Sequence, residues 1–211
     1  MTGLPTLLVF DLDGTLYRTE ISFLPAVRRL FTARALPVPD PEEVLPFIGE
    51  PFSAFLRWAQ GRGIARPLGE LADEISRTES PLIADRAATY PGVPETLATL
   101  RARGHRLAVC TNGDRDYADL VLRSCGILDL FDLIRGRGPE DLSKARMVAD
   151  VLAAIPHDAA YVVGDRKHDI ESARENGCPS IGALYGYGER GELDGADYAI
   201  TSFSELLSIV H

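Results

Sequence analysis

The sequence has few cysteines and no long apolar run, and each shortage excludes a class of protein. Its three cysteines, at positions 110, 125 and 178, are odd in number and form no C-x-x-C pair. This usage argues against a disulfide framework or a zinc site, and it predicts reduced thiols in a cytoplasmic protein. No stretch approaches the roughly 20 apolar residues that span a bilayer, and the N-terminus has no basic region. We therefore expect neither membrane insertion nor secretion.

Positive charge is also scarce. The chain has 31 acidic and 22 basic residues, which gives a net charge of −9. Because a nucleic acid would meet a mostly repulsive surface, we do not expect one as a partner. Among the basic residues, only Lys144 and Lys167 are lysines. A lysine in such an arginine-rich chain suggests a position where the chemistry needs a compact ammonium group.

The sequence does contain a regular alternation of strand-like and helix-like segments. Its 211 residues, 45% of them hydrophobic, are enough for one core and a small additional domain. Short apolar runs predict strands near 6–10, 106–110, 133–135, 160–163, 180–184 and 197–200. Amphipathic stretches between them predict helices near 93–103, 114–125, 143–154 and 168–176. This alternation predicts an α/β fold, a parallel sheet with helices on both faces.

The interval between the first two strands breaks the alternation. It predicts helices near 22–35, 41–47, 51–62 and 68–86, separated by prolines. We therefore expect an inserted, all-helical domain over residues 17–88. Residues 1–16 and 89–211 would form the α/β core domain.

Polar side chains follow three of the predicted strands. Asp11 and Asp13 come after the first strand, Thr111 and Asn112 after the second, and Asp165 and Asp169 after the strand at 160–163. Ligands of open parallel sheets bind outside the carboxyl ends of the strands. We expect these side chains to meet at that edge, where Lys144, at the start of a helix, could add a cation.

Several carboxylates at one edge would repel one another unless a cation neutralised them. A hard dication with oxygen ligands, such as Mg²⁺, fits this requirement. An aspartate beside it could attack phosphorus, and a second carboxylate two residues along could move protons. The hydroxyl and amides at Thr111 and Asn112, with the Lys144 ammonium, could hold the phosphoryl oxygens.

The chain contains, in this order, D-x-D-G-T at 11–15, Thr-Asn at 111–112, the isolated Lys144 and G-D-x-x-x-D at 164–169. The order and spacing of these motifs resemble those of the haloacid dehalogenase superfamily. The resemblance implies a Rossmann-like core, and the helical insert is similar to that superfamily's C1 cap. It also implies a role for each motif residue: Asp11 as nucleophile, Asp13 as general acid and base, Thr111 and Lys144 as phosphate binders, and Asp11, Asp165 and the Asp13 carbonyl as magnesium ligands. Asp169 would support either the metal waters or Lys144.

Further sequence features indicate which branch of the superfamily the chain resembles. Dehalogenases of the superfamily lack the second aspartate, so Asp13 favours phosphoryl chemistry. The stretch 162–188 is similar to the phosphoglycolate phosphatase-like branch, and "FIGEP" at 47–51 resembles that branch's specificity loop. This implies a magnesium-dependent phosphatase that hydrolyses a small phosphomonoester, a phosphorylated metabolite, through an aspartyl-phosphate. We expect the protein to be a monomer or a homodimer. A nucleotidase or pyrophosphatase, or a phosphomutase or phosphotransferase, remains an alternative.

Plainer interpretations stand beside these. Asp11 and Asp13 could form only an Asx-turn, and a non-catalytic binding module could share the fold. The glycines of 186–191 match a dinucleotide fingerprint superficially, but we expect a plain loop at the rim of the site. We also expect Arg166 and Lys167 to face solvent, His168 to be a helix-start residue, and the apolar residues of 52–58 to form the core of the helical insert.

Overall fold

Strand β1 (Thr6–Phe10) lies at the centre of a six-stranded parallel sheet. The other strands are β2 (Arg106–Cys110), β3 (Leu133–Arg135), β4 (Ala159–Gly164), β5 (Ser180–Ala183) and β6 (Tyr198–Ile200). Their order is β3-β2-β1-β4-β5-β6, so the chain reverses direction across the sheet between β1 and β4. In doubly wound sheets the ligand crevice lies at such a switch point. The fold therefore directs attention to the carboxyl ends of β1 and β4.

The computed structural model of the chain describes residues 5–139 and 143–210, apart from the side chain of Arg190. Residues 1–4, 140–142 and 211, which the sequence analysis assigned to the core domain, lie outside this part. The described helices are α1 (Glu20–Thr32), α2 (Pro41–Val44), α3 (Phe52–Gly61), α4 (Leu68–Arg86), α5 (Val93–Ala102), α6 (Arg115–Ser124), α7 (Lys144–Ala154), α8 (Lys167–Glu175) and α9 (Leu206–Ile209).

The two faces of the sheet are covered by different helices, as the alternation of side chains along β1 requires. Leu8 and Phe10 point into a cluster that includes apolar residues of α5, α6 and α9. Leu7 and Val9 point into a second cluster, with residues of α7 and α8. Because both faces are covered, these four strand residues are fully buried. The predicted α/β class, with helices on both faces, is confirmed.

Helices α1, α3 and α4 pack around an apolar cluster of their own, which includes Phe23, Phe31, Phe55 and Ile75. The aromatic rings of Phe23 and Phe55 meet edge to face, with centroids 4.9 Å apart. The C-terminal part of α4 also packs against the core domain, because Ile83 belongs to the apolar cluster that covers one face of the sheet with α5 and α6. The insert is thus anchored to the core through its longest helix.

The observed elements lie within a few residues of those predicted from periodicity. Helix α9 was not predicted. A second difference falls in the predicted helix at 41–47, which is α-helical only over Pro41–Val44 and continues as a 3₁₀ turn at Leu45–Phe47. Pro46 explains the change, since it has no N–H to donate to the carbonyl one α-turn earlier. Within residues 5–139 and 143–210, no helix has both the length and the apolar character needed to cross a membrane.

The end of β4 provides a test of how closely the fold is packed behind the site. A Cβ atom on Gly164 would lie 2.1 Å from Cγ of Asp169, whereas one on Gly69 would meet open space. We predict that Gly164→Ala lowers the free energy of unfolding by about 1–3 kcal/mol. Gly69→Ala should leave that free energy unchanged or raise it by up to about 1 kcal/mol. Urea denaturation measures both, and an unchanged Gly164→Ala variant would contradict the packing.

Candidate active site

The candidate active site is built from the turns that follow the central strands. Asp11 follows β1, Thr111 follows β2 and Asp165 follows β4, and all three are buried. The turn at 186–188 closes over Asp165, and a Cβ on Gly186 would lie 2.3 Å from Cβ of Asp165. Only a glycine permits so close an approach, because any side chain there would displace the carboxylate. The glycine-rich segment is therefore a loop at the site.

Three carboxylates meet at this edge of the sheet. Asp11, Asp165 and Asp169 each place an oxygen within 4.8 Å of the others, and none is more than 2% exposed. The ammonium of Lys144 lies between two of them, 2.5 Å from Asp11 Oδ1 and 2.5 Å from Asp169 Oδ1. Asp165 is held by the hydroxyl of Thr15 at 3.1 Å and by the N–H of Tyr187 at 2.8 Å.

The electrostatics of this cluster are set by burial. Burial raises the pKa of Asp11 well above its usual value, and Lys144 opposes that rise. Burial and then the charge of Asp169 raise the pKa of Asp165 to about 7. Burial disfavours the charged form of Lys144, but the charges of Asp11 and Asp169 outweigh it and raise the pKa of that ammonium. One cation thus faces three carboxylates.

The donor set fits a hard dication. Asp11 Oδ2 is buried and has no hydrogen-bond partner among the described residues. An orphaned carboxylate oxygen beside two further carboxylates is suited to a cation with oxygen ligands, and Mg²⁺ prefers such donors. Asp11 and Asp165, both named as metal ligands from sequence, lie in this cluster together with Asp169.

Asp13 lies in a different environment from the cluster. Its Oδ1 accepts hydrogen bonds from Thr19 at 2.7 Å and from the hydroxyl of Tyr117 at 2.5 Å, and its Oδ2 accepts one from Thr111 at 3.3 Å. Burial raises the pKa of Asp13, while these hydroxyls oppose the rise. A carboxylate with a raised pKa beside a cavity is suited to moving protons.

Thr111 and Asn112, which follow β2, make contacts with different parts of the protein. Thr111 is fully buried, and its hydroxyl also accepts from the N–H of Gly113 at 3.0 Å. The side chain of Asn112, named as a phosphate binder, donates to Gly49 O at 2.8 Å and accepts from Arg137 at 2.6 Å. The structure therefore uses Asn112 to join the insert to the core, and its phosphate role stays a prediction.

The expectation that Arg166 faces solvent is wrong. Its side chain is buried, and the guanidinium donates to Pro46 O at 3.1 Å, to Ile48 O at 3.2 Å and to Glu50 at 2.7 Å. The backbone of 46–48 offers carbonyls that need donors, and arginine supplies several in a fixed fork. Lys167 is 67% exposed, as expected.

His168 has a further contact that its place in the sequence did not reveal. Its Nε2 lies 3.0 Å from Gly49 O. Segment 46–50, which overlaps the stretch resembling a specificity loop, is therefore held against the core by Asn112, Arg166 and His168.

Three further residues near the site, Tyr117, Thr19 and Glu79, were not predicted from the sequence. Tyr117 lies in the first turn of α6, directly after the Thr-Asn motif, so its position was a usable signal. Thr19 and Glu79 belong to the helical insert side, and no motif marks them. Glu79 is buried and accepts a hydrogen bond from Ser22 at 2.7 Å, and Ser22 in turn accepts one from Tyr17 at 2.8 Å.

A cavity of about 320 Å³ lies between Asp13 and the insert. Its walls include Asn112 and Tyr117 from the core, with Phe52 and Glu79 from the insert. The cavity reaches Asp13 but does not include Asp11 among its walls. It is therefore adjacent to Asp13, and none of the three clustered carboxylates is among its walls. The apolar residues of 52–58 are split accordingly: Phe55 and Leu56 are buried in the insert, while Phe52 lines the cavity.

Comparisons with known proteins identify relatives of this chain. Residues 8–183 match the family model described as haloacid dehalogenase-like hydrolase. The phosphoglycolate phosphatase of Pectobacterium atrosepticum is 31% identical over 96% of this chain and 91% of its own. The tyrosine-protein kinase PtkA of Mycobacterium tuberculosis is 30% identical over 90% of this chain and 66% of its own. A haloacid dehalogenase-like hydrolase from Streptococcus pneumoniae superposes with a TM-score of 0.84 at 26% identity, over 97% of this chain and 98% of its own.

Because Lys144 lies between two carboxylates, we expect that an arginine at this position cannot support activity. A planar guanidinium is wider than an ammonium and does not fit between two carboxylate oxygens that are each 2.5 Å from Nζ. We predict that Lys144→Arg folds and loses about 10²-fold or more in turnover, the scale of removing one preorganised donor. Steady-state kinetics with thermal melts measure this, and Lys167→Arg is the matched control. Activity of Lys144→Arg within about threefold of wild type would contradict the role.

The burial of Glu79 leads us to expect that the stability of the protein depends on pH. Burial raises its pKa from 4.5 to about 7. A group whose pKa is higher in the folded than in the unfolded state contributes its full stability at pH values below the unfolded-state pKa. That contribution is lost as the pH rises through the folded-state pKa. Glu79→Gln cannot ionise, so its free energy of unfolding relative to wild type should rise by about 1–3 kcal/mol between pH 5 and pH 8. Urea denaturation at both pH values measures the difference. A constant difference would show that Glu79 does not titrate there.

Proposed function

The chain belongs to the haloacid dehalogenase-like hydrolase family and is a phosphatase, and on that premise we propose that it hydrolyses a small phosphomonoester with magnesium, through an aspartyl-phosphate on Asp11. The observation that carries the proposal is the pairing at Asp11. Lys144 holds Oδ1, while Oδ2 is buried without a hydrogen-bond partner among the described residues. Lys144 thus fixes the orientation of the Asp11 carboxylate, and no hydrogen bond from the described residues occupies its second oxygen.

In the first half of the proposed reaction, a carboxylate oxygen of Asp11 forms a bond to phosphorus as the bond from phosphorus to the alcohol oxygen breaks. Asp13 donates a proton to that departing oxygen, which makes the alcohol a better leaving group. Lys144 and the Thr111 hydroxyl hold the phosphoryl oxygens as charge spreads over them. The buried position of these donors makes each contact stronger than it would be in water.

In the second half, Asp13 is ionised and accepts a proton from a water molecule, whose oxygen attacks phosphorus. The bond from phosphorus to Asp11 breaks, inorganic phosphate leaves and the carboxylate is restored. Magnesium, held by Asp11, Asp165 and the Asp13 carbonyl, would offset the negative charge that gathers at the phosphoryl group. Asp169 would keep Lys144 in place between the two carboxylates.

The proposed partner is a small phosphorylated metabolite. The cavity of about 320 Å³ beside Asp13 lies at the lower end of the range of small-molecule sites. We also propose a cytoplasmic location, which the three free cysteines support. The oligomeric state, monomer or homodimer, stays a proposal.

A phosphotransferase is the second candidate, because a relative at 30% identity carries the name of a kinase. It would share the aspartyl-phosphate and pass the phosphoryl group to a hydroxyl acceptor instead of water. Analysis of the products in the presence of a sugar or tyrosine acceptor separates the two functions. Free phosphate in full yield supports the phosphatase.

The direct variant is Asp11→Asn, because an amide cannot attack phosphorus. We predict that it loses about 10³-fold or more in magnesium-supported phosphate release. Asp158→Asn is the control, since Asp158 is exposed and precedes β4 at the opposite edge of the sheet. Chelator-treated wild type should be inactive and should recover with Mg²⁺. Full turnover by Asp11→Asn, or by the chelated enzyme, would refute the proposal.

A further inference from the structure

The cavity beside Asp13 indicates which alcohol the enzyme releases. Asp13 lines this cavity, and under the proposed function Asp13 must reach the oxygen of the leaving alcohol. The alcohol portion of the substrate therefore lies in the cavity. What the walls of the cavity imply about that alcohol rests on the proposed function.

The walls carry several aromatic rings. Phe23, Phe47 and Phe52 contribute from the insert, and Tyr117 contributes from α6. The rings of Phe23 and Phe52 meet edge to face with centroids 6.4 Å apart. Phe47 and Phe52 are only half-buried, so each keeps surface that a ligand can cover. Aromatic walls of this kind favour a flat apolar group through area burial and ring-to-ring contact.

The charged groups on the walls are mostly negative. Besides Asp13, the cavity is lined by Glu50, Glu79 and Asp114, and Arg137 is the one cationic residue among the described lining residues. The guanidinium of Arg137 donates to Asn112 Oδ1 at 3.1 and 2.6 Å, next to the Thr-Asn turn. This pairing holds the charge of Arg137 beside Asn112.

The acids differ in how far they are neutralised. Glu50 pairs with Arg166 at 2.7 Å, and Asp114 accepts from the N–H of Tyr117 at the start of α6. Glu79 is 7% exposed and accepts from the Ser22 hydroxyl. A negatively charged alcohol portion would meet the buried Glu79 carboxylate, where repulsion is screened less than it is in bulk water.

We propose that this cavity selects phosphate esters whose alcohol carries an aromatic group and no second negative charge. Phe52 and its neighbouring rings supply the attraction, and Glu79 supplies the rejection of anionic alcohols. Discrimination of this kind combines a favourable contact for one substrate with a repulsive one for its competitor.

Three esters of primary alcohols test the proposal: phenethyl phosphate, ethyl phosphate and phosphoglycolate. Assays at pH 8 with Mg²⁺ give kcat/KM for each. We expect phenethyl phosphate to exceed both others by about tenfold or more, the scale of filling an apolar pocket. A ratio of two kcat/KM values on one enzyme does not depend on the folded fraction, so it remains valid for a destabilised variant.

Two variants separate the parts of the selection. Phe52→Ala should lower the ratio of phenethyl to ethyl phosphate by about threefold or more, and Phe52→Leu should give an intermediate ratio. Glu79→Gln should raise kcat/KM for phosphoglycolate relative to ethyl phosphate by about threefold or more. Glu70→Gln is the matched control on the same helix, because Glu70 is 62% exposed, and it should leave both ratios unchanged.

The outcomes distinguish this inference from the function on which it rests. Phosphoglycolate hydrolysed as well as phenethyl phosphate, or ratios that Phe52→Ala and Glu79→Gln leave unchanged, would overturn the inference and leave the phosphatase intact. No hydrolysis of any of the three esters with Mg²⁺ would overturn both.

Discussion

The contact of Lys144 with two buried carboxylates is the interaction on which the rest of the site depends. Asp11 and Asp169 follow different strands, and one ammonium 2.5 Å from each joins them. Removing one partner from such a buried network leaves an uncompensated charge, which costs several kcal/mol. The network still carries more negative than positive charge, because Asp165 belongs to the same cluster. This imbalance is what makes the site suited to a dication and to an anionic substrate that arrives with it.

The division between core and insert follows from that arrangement. The core fixes the charged groups at the ends of β1 and β4, where buried strands hold them rigidly. The insert contributes apolar rings and Glu79 to the neighbouring cavity. Arg166 belongs to both parts, because it follows Asp165 directly and its guanidinium bonds to the backbone of 46–48. Under the proposed function, a change in the insert can therefore alter which alcohol is accepted while the carboxylate cluster remains as it is.

Most of the fold was predictable from sequence, because local pattern decides it. The apolar run of β1 and the helical spacing of α5 or α7 each report burial directly, and the observed bounds agree within a few residues. The carboxylates at strand ends were predictable for a related reason, since parallel topology brings those ends together. Arg166, Tyr117 and Glu79 were not predictable as contacts. Their partners lie far away in the chain, at Pro46, Asp13 and Ser22. The contact of Arg166 needs the insert packed on the core, that of Tyr117 needs α6 packed beside the turn after β1, and that of Glu79 needs α4 packed against α1 within the insert.

The stereochemical course at phosphorus tests the central claim most directly. A substrate whose transferred thiophosphoryl group is made chiral with two oxygen isotopes is hydrolysed by the enzyme with Mg²⁺ in water of the third isotope, and the configuration of the thiophosphate product is determined. Transfer to Asp11 and then to water involves two in-line displacements, each of which inverts the configuration. The account predicts net retention. Net inversion would mean that water attacks the substrate directly, and it would contradict the role assigned to Asp11 and to the lysine that holds it.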